Sequence, residues 1–119
     1  MIHHIAIEVR PQDVESSVGF WRAAGFERVE PPPSLAEFTW MERGGTQVHL
    51  MPTAEPSVPP RGHIAVVAPD LEAAVERLAA AGFEVEWRKE HWGSPRVKTT
   101  APGGHVVELM EFPPNSEDR

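Results

Sequence analysis

The chain has 119 residues, 40% apolar and 24% charged, with a formal net charge of −7; this is the profile of a single soluble globular domain spanning 1–119. That charge disfavours nucleic acid and anionic membranes as partners, because phosphate groups are bound by basic patches, and no run of Lys and Arg offsets it. With no cysteine, disulfides, thiolate metal ligands and a cysteine nucleophile are excluded.

The first segment, 2–10, alternates apolar and polar residues as a half-buried strand does. It has neither a basic flank nor a long apolar run, so no signal peptide is expected. No segment approaches the roughly 18 apolar residues of a membrane span, and a cytoplasmic location is expected. Asp13 is a plausible N-cap for a helix whose Val14, Val18 and Trp21 fall on one face at 3–4 residue spacing. Gly25 stops that helix, since glycine tolerates the left-handed conformation, and Phe26 covers its last turn. Three further strands fit at about 26–30, 36–42 and 45–52, with Pro31-Pro32-Pro33 breaking the chain between two of them.

The second half repeats the first. His4-Ile5-Ala6-Ile7 returns as His63-Ile64-Ala65-Val66, at an offset of 59. Asp13-Val14-Glu15 and Ala23-Ala24-Gly25-Phe26-Glu27 return as Asp70-Leu71-Glu72 and Ala80-Ala81-Gly82-Phe83-Glu84, at an offset of 57. Gly44-Gly45 and the strand through His49 to Met51 return as Gly103-Gly104 and the strand through Glu108 to Met110, at 59 again. Three collinear matches identify a duplication. The second unit therefore has a strand at 61–68, a helix with Leu71, Ala74, Val75 and Leu78 on its apolar face, and strands at about 83–89, 95–100 and 104–112. The expected fold is α+β: two tandem βαβββ modules, 1–52 and 61–112, joined by the linker 53–60, followed by a frayed polar tail at 113–119.

Neighbouring side chains of a strand point to opposite faces. Ile5, Ile7 and Val9 should pack under the first helix, leaving His4, Ala6 and Glu8 on the other face. Ile64 and Val66 do the same in the fifth strand, with His63 and Ala65 opposite. In the fourth strand Gln47, His49 and Met51 are left on the outer face, and in the eighth Val106, Glu108 and Met110. Four potential ligands, His4, His49, His63 and Glu108, thus lie away from the helices at equivalent places in the two modules. A curved mixed sheet would turn them into a shared cleft. Three imidazoles and a carboxylate suit a borderline divalent ion (Zn²⁺, Ni²⁺, Co²⁺, Mn²⁺ or Fe²⁺).

The chain resembles the vicinal oxygen chelate superfamily, which groups glyoxalase I, fosfomycin-resistance thiol transferases, methylmalonyl-CoA epimerase, extradiol dioxygenases and bleomycin-resistance proteins. The resemblance is carried by His4-Ile-Ala-Ile-Glu-Val, the helix end Ala-Ala-Gly-Phe, Gly62-His63-Ile-Ala-Val, and Pro102-Gly-Gly-His-Val-Val-Glu108-Leu, and spans 2–112. It implies paired βαβββ modules, a metal in the cleft and a homodimer. It also implies His4, His63 and Glu108 as metal ligands, with His49 at the superfamily's variable fourth-strand position. The chain departs from the pattern in three places. Ala101-Pro102-Gly103-Gly104 replaces an Asp-Pro-x-Gly turn, Phe20-Trp21 stands where Phe-Tyr is common, and the thiol-peptide-binding residues of glyoxalase I are not all present.

Beyond the ligands, Arg96 in the strand after Trp92-Gly93-Ser94-Pro95 suits an anionic or carbonyl-bearing substrate, with surface salt-bridging as the plain alternative. Lys98 lies on the same face. Trp40, Met51 and Trp92 are further candidates for the substrate pocket. His3 is expected towards the helix side or an edge, and His105 to hold the turn; His91 lies in a loop and is left unassigned. No phosphate loop or Ser–His–Asp arrangement is present.

The resemblance implies a divalent-metal-dependent enzyme of lyase or isomerase type acting on a small oxygen-chelating substrate. Glu108 would be both ligand and general base, and the ion a Lewis acid towards two neighbouring oxygens. The alternatives are a non-catalytic protein that binds a small molecule or drug, as bleomycin-resistance members do, and an oxidoreductase like the extradiol dioxygenases using Fe²⁺.

Overall fold

The duplication seen in the sequence is reproduced strand for strand. In the computed structural model, which describes residues 1–115, the first module runs β1 (His4–Val9), α1 (Val14–Ala23), β2 (Glu27–Val29), β3 (Thr39–Arg43) and β4 (Thr46–Pro52). The second runs β5 (Ile64–Val67), α2 (Leu71–Ala80), β6 (Val85–Trp87), β7 (Arg96–Thr100) and β8 (Val106–Met110). Short 3₁₀ turns at Pro11–Asp13 and Pro33–Leu35 complete the first module; the second of these shortens the strand expected at 36–42. Each module forms its own four-stranded mixed sheet, in the orders β1-β4-β3-β2 and β5-β8-β7-β6. The eight strands therefore make two sheets, not one continuous curved sheet. Of the tail expected over 113–119, residues 116–119 lie outside the described residues.

Alternation sets the faces as expected. Ile7 and Val9, Val48 and Leu50, Ile64 and Val66, and Val107 and Leu109 are buried under the helices, while Ala6 and Ala65 on the opposite face are exposed. The helices stop as their glycines require. Gly25 (φ +101°) and Gly82 (φ +90°) are in the left-handed region. The amide of Phe26 bonds the Trp21 carbonyl and that of Gly25 the Arg22 carbonyl, both at 2.9 Å, and Phe83 and Gly82 repeat the pair on Leu78 and Ala79. These are Schellman ends.

Two expectations about the helices need correction. Asp13 and Asp70 stand at the helix starts, but neither carboxylate makes a capping bond. At the first helix the Asp13 carbonyl instead accepts the hydroxyls of Ser16 and Ser17. At the second the Asp70 carboxylate is taken by Arg43 and Arg77. Second, α1 buries more than the stripe of Val14, Val18 and Trp21, because it packs against both its own sheet and the second module. Phe20 is fully buried, 5.1 Å edge-on from Phe83 of the other module and 5.2 Å from Trp21. The modules are also tied by polar bonds. Arg43 donates to the Ala24 carbonyl and Arg77 to the Ala23 carbonyl while both hold Asp70. His105, buried, places Nε2 2.7 Å from the Glu8 carbonyl. His105 thus holds the modules together as well as standing beside the Gly103-Gly104 turn.

Candidate metal centre

Sheet register decides which of the four candidate ligands meet. β1 runs parallel to β4 with His4 opposite Gln47 and Ala6 opposite His49, which sets His4 and His49 diagonally on one face. Their rings stack at 4.0 Å, tilted by 14°. Antiparallel β3 places Trp40 directly opposite His49, and these rings stack at 4.1 Å with parallel planes. His49 is therefore clasped between an imidazole and an indole. Trp40 is half-buried, and its indole N–H is shielded without a hydrogen-bond partner among the described residues.

Hydrogen bonds assign the His49 tautomer. Gln47 donates its amide to Glu42 at 2.8 Å, so its oxygen faces His49 Nε2 at 2.7 Å and accepts from it. The lone pair then resides on Nδ1. Burial, followed by the neighbouring His4 and His3, lowers the His49 pKa below the ordinary imidazole value, because each disfavours a cationic ring. A neutral imidazole is the form that binds metals.

The second module builds the equivalent pair. Parallel β5 and β8 set Ala65 opposite Glu108, with His63 just before β5. His63 Nδ1 lies 3.1 Å from the Arg61 carbonyl; a carbonyl only accepts, so Nδ1 carries a proton. Nε2 is left 3.3 Å from one Glu108 oxygen, and the other Glu108 oxygen is 3.3 Å from Arg96 Nε. A neutral His63 would turn a lone pair towards a carboxylate, an arrangement relieved by a proton or a cation between them. A backbone carbonyl on the remote ring nitrogen is the usual support of a metal-binding histidine. The donor chemistry of this pair fits a divalent cation.

The two pairs remain separate within one chain. Among the described residues no hydrogen bond, ion pair or ring contact joins His4 or His49 to His63 or Glu108. Nor, among the described residues, is any group of three or more His, Cys, Asp or Glu arranged to hold a metal ion. Near these pairs the modules are joined by the bond between the Glu8 carbonyl and His105. Between them Met51, Ile5, His63 and Val106 line a cavity of about 450 Å³.

The other candidates divide. Arg96 lies at the Glu108 carboxylate, Trp40 at His49, and Met51 in the cavity between modules. Trp92 turns elsewhere, donating its indole N–H to the Phe112 carbonyl at 2.8 Å, an anchor for the loop before β7. His91 is exposed, its ring 6.4 Å from that of Trp92. His3 is exposed where the chain enters the edge strand β1, beside the site, Nδ1 2.9 Å from His4 Nδ1. Gln47, which orients His49, was signalled only by the outward alternation of the fourth strand, and Glu42, its partner on β3, by nothing in the sequence.

The fold and these paired sites define a duplicated βαβββ protein of the vicinal oxygen chelate type. The chain belongs to the glyoxalase-like domain family, whose model matches residues 5–110. No curated protein sequence matches it. Solved structures of the same fold include a Bacillus anthracis protein of the glyoxalase family (19% identity, TM-score 0.80, covering 92% of this chain and 93% of that one). Another is a glyoxalase/dioxygenase from Nostoc punctiforme (23%, 0.75, 96% and 92%). A third is an antibiotic-binding protein from Streptomyces sp. CB03234 (16%, 0.68, 92% and 93%). At these identities the likeness speaks for the fold, and the three proteins differ in what they are described as doing.

Proposed function

We propose that this protein is a divalent-metal-dependent enzyme of glyoxalase type, with lyase or isomerase chemistry on a small substrate bearing two neighbouring oxygens. We further propose that it acts as a homodimer. In that dimer His4 and His49 of one copy face His63 and Glu108 of the other, which gives two four-ligand centres per dimer. The observation that carries this reading is the His63–Glu108 pair, with Nδ1 tied to a carbonyl and Nε2 open beside a carboxylate. Its counterpart at the equivalent positions of the first module is a stacked pair of imidazoles. The separation of the two pairs within one chain favours a second copy as the source of the missing half. So does the exposure of Ala6, Ala65 and Val67 on the faces that carry them, since apolar residues gathered around a site are commonly covered by a partner.

When bound, the ion supplies Lewis-acid polarisation of the substrate oxygens. The protein's own residues do the rest. Glu108 takes the substrate proton on the oxygen nearest His63, while Arg96 holds its other oxygen and limits its rotation. Gln47 fixes the His49 ring through Nε2, and the Trp40 face shields it from water.

Metal analysis of protein purified without chelator tests this reading. About one equivalent of metal per chain is expected, with the content falling in His63→Ala and in Glu108→Gln while both variants remain folded. Absence of stoichiometric metal, together with no thermal shift on adding Ni²⁺, Co²⁺, Zn²⁺ or Mn²⁺, overturns it. That result would favour a small-molecule-binding role, for which the stacked His4–His49–Trp40 rings provide a flat platform.

A further inference from the structure

The two half-sites differ in more than their candidate ligands. Lys98 stands opposite Glu108 in the sheet, just as Trp40 stands opposite His49. Where one half-site is aromatic, the other is cationic. Beside Glu108 and His63 a cavity of about 410 Å³ is lined by Arg61, Arg88, Arg96 and Lys98, a volume within the roughly 300–1,000 Å³ of small-molecule pockets. Four of the chain's 11 basic residues thus gather at one place in a molecule of net charge −7.

Such a gathering is unfavourable unless anions answer it. The answering acids are too few. Among the described residues Glu108 is the only carboxylate lining the cavity, and Glu86 holds Arg88 from outside it at 2.8 Å. Against four cations this leaves two positive charges in excess, with His63 counted as neutral. Lys98 makes no ion pair with Glu108 although they are cross-strand partners, because Glu108 is turned to His63 and Arg96. Neither the Lys98 nor the Arg61 side chain has a hydrogen-bond or ion-pair partner among the described residues. The buried Nε of Arg96 lacks a hydrogen bond. Guanidinium forks match planar and tetrahedral oxyanions in two-point contact.

We infer that the substrate of this site is a small dianion, a dicarboxylate or a phosphoryl compound, held by Arg61, Arg88, Arg96 and Lys98. The metal-centre reading is used only to say that the anion is delivered beside Glu108; the binding itself requires no metal.

The test uses chelator-treated, metal-free full-length protein at low ionic strength, titrated calorimetrically with inorganic phosphate and with succinate. Saturable binding of at least one probe is expected. The Arg61→Ala/Lys98→Ala double variant should weaken it about tenfold or more, and Arg22→Ala, on the far helix, should leave it unchanged. The probe that binds identifies the phosphoryl or the dicarboxylate class. Thermal melts keep loss of binding distinct from loss of fold, since both substituted side chains are exposed. No saturable binding of either probe up to about 10 mM, or equal binding by the double variant, overturns the inference. Anion binding by a protein that never takes up metal would overturn the metal-centre reading and leave this one standing. Stoichiometric metal without anion binding would do the reverse.

Discussion

Replacing Asp70 by Asn tests the polar clamp between the modules. Asp70 accepts Arg43 at 2.8 Å on one oxygen and Arg77 at 2.9 Å on the other. The same guanidiniums reach the Ala24 and Ala23 carbonyls at the end of α1. The two arginine hydrogen bonds hold the Asp70 carboxyl at about 2, against 3.8 for the free group. Full conversion of that difference gives about 2.4 kcal/mol. The Asp70 side chain is 40% exposed, so solvent screening reduces its contribution to about 1 kcal/mol. The folded pKa is the lower one, so the stabilisation is complete above the unfolded value of 3.8 and disappears as pH falls through about 2. Asp70→Asn should therefore lose about 1 kcal/mol at pH 7, roughly 4 °C in Tm for a chain of this size, with an unchanged denaturant slope. Urea melts at fixed protein concentration from pH 7 to pH 2 should show the two proteins converging. Equal stability at pH 7, or a difference that persists undiminished at pH 2, would refute the reasoning.

Two further substitutions probe the fold. Gly25→Ala and Gly82→Ala both force a left-handed backbone on alanine, at about 1 kcal/mol each. At Gly25 the new Cβ also meets the Arg43 guanidinium, whereas Gly82 faces open space. Chemical denaturation should rank Gly25→Ala as clearly the more destabilised, and equal losses would count against the Arg43 placement. Phe20→Ala should cost about 3–5 kcal/mol, because the ring is fully buried between Trp21 and Phe83; a loss below about 1 kcal/mol would show that α1 does not pack against the second module.

The fold was legible largely because it is stated twice. Offsets of 59, 57 and 59 mark equivalent strands, helix ends and turns, and both sheets adopt the same strand order. Alternation also identified the outward faces that carry His4, His49, His63 and Glu108, but strand order and register decide that His4 meets His49 and His63 meets Glu108. The alternation carries no information on how two modules sit against each other, so the separation of the two pairs within one chain was not readable. The burial of Phe20 was missed for the same reason, since helical periodicity reports one buried face and α1 has two. Asp13 and Asp70 were placed correctly at the helix starts, but the partners of Asp70 come from β3 and from later in α2, beyond the reach of a local capping rule. The cationic cavity draws on residues before β5, after β6, in β7 and in β8, which only folding assembles.

The central claim, that two copies each contribute half of the metal centre, is tested most directly by mixing two disabled proteins. One carries His4→Ala and His49→Ala, the other His63→Ala and Glu108→Gln, and neither alone should hold metal. If the halves pair across a dimer, each mixed dimer regains one intact centre of its two. Random exchange of subunits makes about half of the dimers mixed, so metal content should return to about a quarter of the unsubstituted protein's. No recovery after demonstrated subunit exchange, or a protein that stays monomeric at micromolar concentration while binding one metal per chain, would contradict the account.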